Sequence, residues 1–87
     1  MNGRALLAWN LRKLRVQHGL SQDRLALDAG IDRAYLGGLE RRTENPTVDM
    51  LDKLAATLGV PVGAFFVVPD ANAAEPEPLK GGRRRLR

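Results

Sequence analysis

The chain has no cysteine in its 87 residues and a single histidine, His18. Without thiols there is no disulfide scaffold, no cysteine nucleophile and no thiolate zinc site. One imidazole cannot build a multi-histidine metal site, so neither metal nor other cofactor is expected. The lack of cysteine also fits a reducing compartment. Aromatic residues are 5% of the chain, too few for a platform on which bases stack. No apolar run reaches the ~18 residues of a spanning helix. The opening MNGRALLAWNLRKLR lacks the apolar stretch of a secretory signal. A cytoplasmic chain with no membrane partner is the expectation. There is no glycine-rich phosphate loop and no nucleophile motif, and the aspartates read as helix caps and solvated faces. No enzyme is expected.

Lysine and arginine number 14 against 10 acids, a net charge of +4. A basic balance on a chain of one domain's length points to nucleic acid or an anionic surface. Residues 1–68 hold nine bases and seven acids, and residues 69–87 five and three. Beyond residue 68, PDANAAEPEP is acidic and rich in proline, and KGGRRRLR is basic. Neither piece buries enough apolar surface to offset the entropy of ordering it. The expected division is a domain over 1–68 and a flexible tail over 69–87, Pro-rich and then Arg-rich. Two readings of RRRLR stand: a contact to the DNA backbone, or a solvated terminus.

Punctuation divides residues 1–68 into five short helices. Leu7, Leu11 and Leu14 form one apolar stripe, and Gly19 after His18 ends that helix. Ser21 caps a second helix, which Gly30 stops after about eight residues. Ile31 plugs the turn and Asp32 caps a third helix over 33–41, burying Leu36 and Leu39. RTENP is a loop in which Asn45, before Pro46, is extended. Thr47 caps a fourth helix that Gly59 ends, and Pro61 opens a fifth through Phe66. No segment alternates with period two, so the fold class is all-α. Two helices joined through a glycine turn make a helix-turn-helix, whose second helix is the one that enters a DNA groove.

The run LRKLRVQHGLSQDRLALDAGIDRAYLGGLERRTENPTVDMLDKLAATLGVPVGAFF resembles the Cro and lambda-repressor type of helix-turn-helix, the XRE family. GLSQ, LALDAGI, YLGGLER, NPT and LDKLAATLGV carry the likeness in that order. It implies a five-helix domain that binds double-stranded DNA. It also implies roles for residues. Gln22 reaches a phosphate and braces a reading side chain. Arg33 and Ala34 are the first exposed positions of the recognition helix, with Gly37 and Gly38 the next outward ones. Arg41, Arg42, Thr43 and Asn45 follow the phosphates. Arg15 and Glu40 make an ion pair joining the first and third helices.

Two successive glycines in a recognition helix are unusual, and they leave Arg33 as the one strong reader. Tyr35 either reaches DNA or packs its ring on the second helix. The glycines have two readings: close approach to DNA with specificity from shape, or a fold that holds a protein partner instead. At the other end, VPVGAFFVV holds more apolar side chains than a small core takes. Phe65 is assigned to the core, and Val62, Phe66 and Val68 to a homodimer contact; the other reading is that they only close the monomer. Trp9 stands at the edge of the leucine stripe, either lining the core or facing a partner. The expected function is a homodimeric regulator of transcription, by default a repressor, on a palindromic operator. The alternative is an antitoxin or antiactivator adaptor with a second protein as partner.

Overall fold

The structure, a computed structural model, describes residues 1–73. The expectation of a flexible tail falls mainly on residues 74–87, outside the described residues. Four α-helices run in order: α1 (Gly3–Gln17), α2 (Gln22–Ala29), α3 (Arg33–Glu40) and α4 (Val48–Leu58). No strand occurs among the described residues, and no helix there is long and apolar enough to cross a membrane.

Each helix opens on a side-chain oxygen. Asn2, Ser21, Asp32 and Thr47 accept from the backbone N–H three residues on, at 2.9–3.0 Å. The Asn2 cap sets the start of α1. Each helix also closes alike. The chain turns through a left-handed residue, and a second N–H reaches back to the last turn of carbonyls, as in Leu20 N–H to the Arg15 carbonyl at 3.0 Å. His18 adds its Nδ1 at 2.8 Å from the Leu14 carbonyl.

The fifth element differs from expectation. It is a 3₁₀ turn, Val62–Phe66, not an α-helix. Five residues containing Gly63 are too few to offset nucleation of an α-helix. The tighter i to i+3 bond from Ala64 N–H to the Pro61 carbonyl, 2.9 Å, forms instead.

The core is one cluster. Leu7 and Leu11 of α1, Leu25 of α2, Leu36 and Leu39 of α3, and Leu54 and Leu58 of α4 close around Phe65, which is fully buried. The α1 helix lies against α3 and the 3₁₀ turn, while α2 packs on α3 and α4. Two polar groups lock this arrangement. Asn10, on the core side of α1, donates Nδ2 to the carbonyls of Leu6 (2.9 Å), Phe65 (3.0 Å) and Val67 (2.9 Å). Two amide hydrogens are thus shared among three acceptors, and the segment after the 3₁₀ turn is tied to α1.

Arg15 is the second lock. Its Nε donates to Glu40 Oε2 at 2.7 Å and its Nη2 to Glu40 Oε1 at 2.9 Å, while Nη1 donates to the Leu20 carbonyl at 2.8 Å. Both side chains are under one-tenth exposed.

Replacing Glu40 by Leu strands the Arg15 charge, and urea denaturation is expected to show a loss of about 3–5 kcal/mol. Asn10→Leu, which leaves the Phe65 and Val67 carbonyls without their donor, is expected to lose about 1–3 kcal/mol by the same measurement. Faster hydrogen exchange in that variant should be confined to the segment around residues 64–67. Protection there equal to wild type would mean that Asn10 does not hold it.

Candidate nucleic-acid interface

The α2–α3 pair is set by its short turn. Gly30 sits at φ +73°, the Ile31 N–H reaches the Ala26 carbonyl at 2.9 Å, and Asp32 caps α3. Buried Ala26 is small enough to keep the two helices close. This geometry exposes the first turn of α3. Arg33 and Ala34 both face solvent. Arg33 Nε lies 3.0 Å from Asp23 Oδ1, with side chains 59% and 80% exposed. Such a pair contributes little to stability in water, but it stands the guanidinium beside the first turn of α2. Tyr35, for which two readings stood, is half-buried and packs against the core. Gln22 donates Nε2 to Glu40 Oε1 at 3.1 Å, which joins α2 to the Arg15 pair.

The two glycines are placed otherwise than expected. Gly37 and Gly38 are buried rather than open to solvent: the Arg41 side chain lies over the first, and Thr43 and Glu44 lie over the second. The cause is the chain that leaves α3. The Thr43 N–H returns to the Gly38 carbonyl at 2.9 Å, and the Thr43 hydroxyl donates to the same oxygen at 3.2 Å. A Cβ on Gly38 would stand 2.5 Å from Glu44 Cγ and 3.2 Å from Thr43 Oγ1. The helix therefore needs glycine there for the loop to seat. A Cβ on Gly37 would meet Arg41 Nη1 at 3.0 Å and Gln22 Oε1 at 3.7 Å.

The loop carries a second departure. Arg42 has φ +67°, the one non-glycine residue in the left-handed region among those described. The equivalent positions after α1, α2 and α4 are Gly19, Gly30 and Gly59. An arginine there costs roughly 1–2 kcal/mol of backbone strain relative to the right-handed conformation. Arg41, Arg42 and Thr43 are exposed. Asn45 is exposed as well. It borders a hollow of about 290 Å³ with Arg4, Leu7, Pro46, Leu51 and Phe66.

The structure thus gathers Gln22, Gly37 and Arg41 at one place and Gly38, Thr43 and Glu44 at another, with Arg33 and Ala34 open beside α2. Sequence reasoning missed Asp23 as the partner of Arg33 and Glu44 as the cover of Gly38. No local pattern signals either, because both contacts join separate elements. Val62, Phe66 and Val68 are 37%, 41% and 74% exposed. Trp9 lines a shallow hollow of about 270 Å³ with Lys13, Val16, Gln17, Pro69, Asp70 and Ala73. The C-terminal segment of the described chain therefore passes beside it.

The glycines should respond with opposite signs in thermal melts. Gly37→Ala meets only the movable end of an arginine, and the gain in helix propensity is expected to stabilise by about 0.5–1 kcal/mol. Gly38→Ala drives into Glu44 near its root and is expected to destabilise by about 1–3 kcal/mol. Equal stabilisation by both would mean that the loop does not lie on α3.

The helix-turn-helix family HTH_3 matches residues 11–65. A protein of Neisseria meningitidis serogroup B described as a hypothetical transcription factor is 41% identical over 66 residues, 76% of this chain and 62% of that protein. The crystal structure of the Neisseria transcription factor NHTF has a TM-score of 0.76 at 40% identity, covering 78% of each chain. The Escherichia coli K12 regulator SutR is 42% identical over 65 residues, 75% of this chain and 36% of SutR. The restriction-modification controller C.Esp1396I, crystallised as a tetramer with its natural 35-base-pair operator, has a TM-score of 0.69 at 29% identity, covering 76% and 87%. The chain spans less than two thirds of the Neisseria protein and about a third of SutR. Family match, identity and fold agree: this chain belongs to the XRE-type helix-turn-helix family.

Proposed function

We propose that the chain is a sequence-specific regulator of transcription that binds operator DNA as a homodimer. The observation that carries this reading is the open first turn of α3. Arg33 and Ala34 stand exposed there on a helix that the α2 turn and the Arg15–Glu40 pair hold in place. An exposed guanidinium at the start of a groove-reading helix suits the O6 and N7 acceptors of guanine. Exposed Arg42 follows at the other end of α3, where phosphates run past the helix. The likeness to an operator-bound controller supports DNA as the ligand.

Exposed Val62, Phe66 and Val68, with Val67, form an apolar strip after α4 that supports a twofold contact. A dimer of this type sets two reading helices about 34 Å apart, one turn of DNA, and reads a palindrome. Repression by occupancy of a promoter, including the protein's own, is the default mode. The alternative, a fold that serves only a protein partner, had its motive in two glycines that strip the reading face. Gly37 is covered by Arg41 and Gly38 by Thr43 and Glu44, so the face is not bare, which supports the operator reading.

Fluorescence anisotropy on a duplex from the gene's own upstream region, against a random duplex, tests the reading. The upstream duplex is expected to bind a hundredfold or more tighter, and Arg33→Ala to remove most of that margin. With about six phosphates neutralised, log affinity should fall against log salt with a slope near −5. Equal weak binding of both duplexes would reject the upstream region as operator. For the dimer, sedimentation of Phe66→Asp should give a monomer where the wild type gives a dimer. Monomeric wild type at tens of micromolar would remove the twofold contact from the proposal.

A further inference from the structure

We propose that Arg41 is a second specificity-determining residue, its guanidinium laid across Gly37 onto the reading face of α3. The inference rests on the operator-binding reading and assigns a base contact where the family resemblance implies a phosphate contact.

Arg33, Gly37 and Arg41 are spaced i, i+4 and i+8, which puts them on one face of the helix axis. The middle position has no side chain. Side chains on a helix lean toward its N-terminus and lie over the preceding turn, so an arginine one turn after a glycine can occupy the place that the glycine leaves. Arg41 does so. Its Nη1 lies 3.0 Å and its Cζ 3.9 Å from the point where a Cβ of Gly37 would stand. An arginine placed only to suit the helix dipole would turn to the last carbonyls. This one lies over the Gly37 position.

The slot has an oriented neighbour. Gln22 Oε1 is 3.7 Å from the same point. The other end of that amide donates to Glu40 Oε1 at 3.1 Å, so its oxygen is the end that borders the Gly37 seat. Glu40 is itself clamped by Arg15. A part-buried chain of polar contacts therefore ends in an acceptor at the Gly37 seat, over which the exposed Arg41 lies. Gln22 borders the seat that Arg41 occupies. Gly37 is the seat of a longer side chain, which restores a donor to a face that the helix alone leaves bare.

A guanidinium presents the paired donors that match guanine O6 and N7. Arg33 and the Gly37 seat lie one turn apart, about 6 Å along the axis. That is about two base steps of 3.4 Å. The half-site should therefore carry two guanine preferences about two base pairs apart, one read by each arginine.

Selection from duplexes with a randomised centre, by the full chain, tests this. The wild type is expected to return both guanines. Arg41→Lys keeps the charge but loses the paired donors, and should lose about tenfold or more of the preference at one guanine while binding a random duplex within about twofold of wild type. Gly37→Ala, which fills the seat and stays folded, should relax the same position. Arg33→Ala should relax the other. Arg41→Lys that keeps both preferences, or Arg41→Ala that weakens selected and random duplexes equally with a shallower salt slope, would overturn the inference and leave operator binding intact. A wild type that selects no sequence overturns the operator reading itself, and this one with it.

Discussion

A guanidinium and a carboxylate, both nearly shut off from water, join α3 to the rest of the molecule. Arg15 brings α1 and the turn at Leu20; Glu40 brings the last turn of α3 and the amide of Gln22. Removing two charges from water is expensive, and a well-packed apolar pair of the same volume often serves stability as well or better. Two leucines could not, however, donate to the Leu20 carbonyl and accept from Gln22. The pair fixes direction as well as distance. Because it sits at the C-terminal end of α3, it leaves the first turn of that helix free while holding its other end.

The loop after α3 belongs to the helix it follows. Thr43 and Glu44 lie on Gly38, and Arg41 lies on Gly37. What reads as a gap in a recognition helix is a floor on which neighbouring residues rest. The left-handed Arg42 is part of the same turn. Its conformation allows the return bonds to Leu39 and Gly38, at 3.2 and 2.9 Å, that lay the loop down. Strain held at a site where a charged side chain is displayed is a common trade in binding loops. At the other pole, Asn10 does for the C-terminal segment what Arg15 does for α3, and keeps Phe65 in the core while Val62, Phe66 and Val68 stay outside.

Much of the fold was legible because its punctuation is local. Ser21, Asp32 and Thr47 sit at helix starts, and Gly19, Gly30 and Gly59 at helix ends. Each acts within a few residues of itself. Phe65 in the core and an exposed Phe66 followed from the small space that such short helices leave. The Arg15–Glu40 pair came through family resemblance, since nothing in the spacing of two residues 25 apart reports a contact. Asn10 was missed for the same reason: an asparagine inside a helix gives no local sign that it serves carbonyls 55 and 57 residues away. The cover over Gly37 and Gly38 was missed because helical periodicity describes α3 alone. It contains nothing of the chain that folds back over it.

That folding back links two positions in evolution. Glu44 stands where a side chain at position 38 would have to go. A drift from Gly38 to alanine or serine costs stability while residue 44 is long, and costs least in a lineage that has already shortened it. Among relatives the two sites are therefore expected to vary as a couple. The least costly order of change runs through the loop first and the helix second.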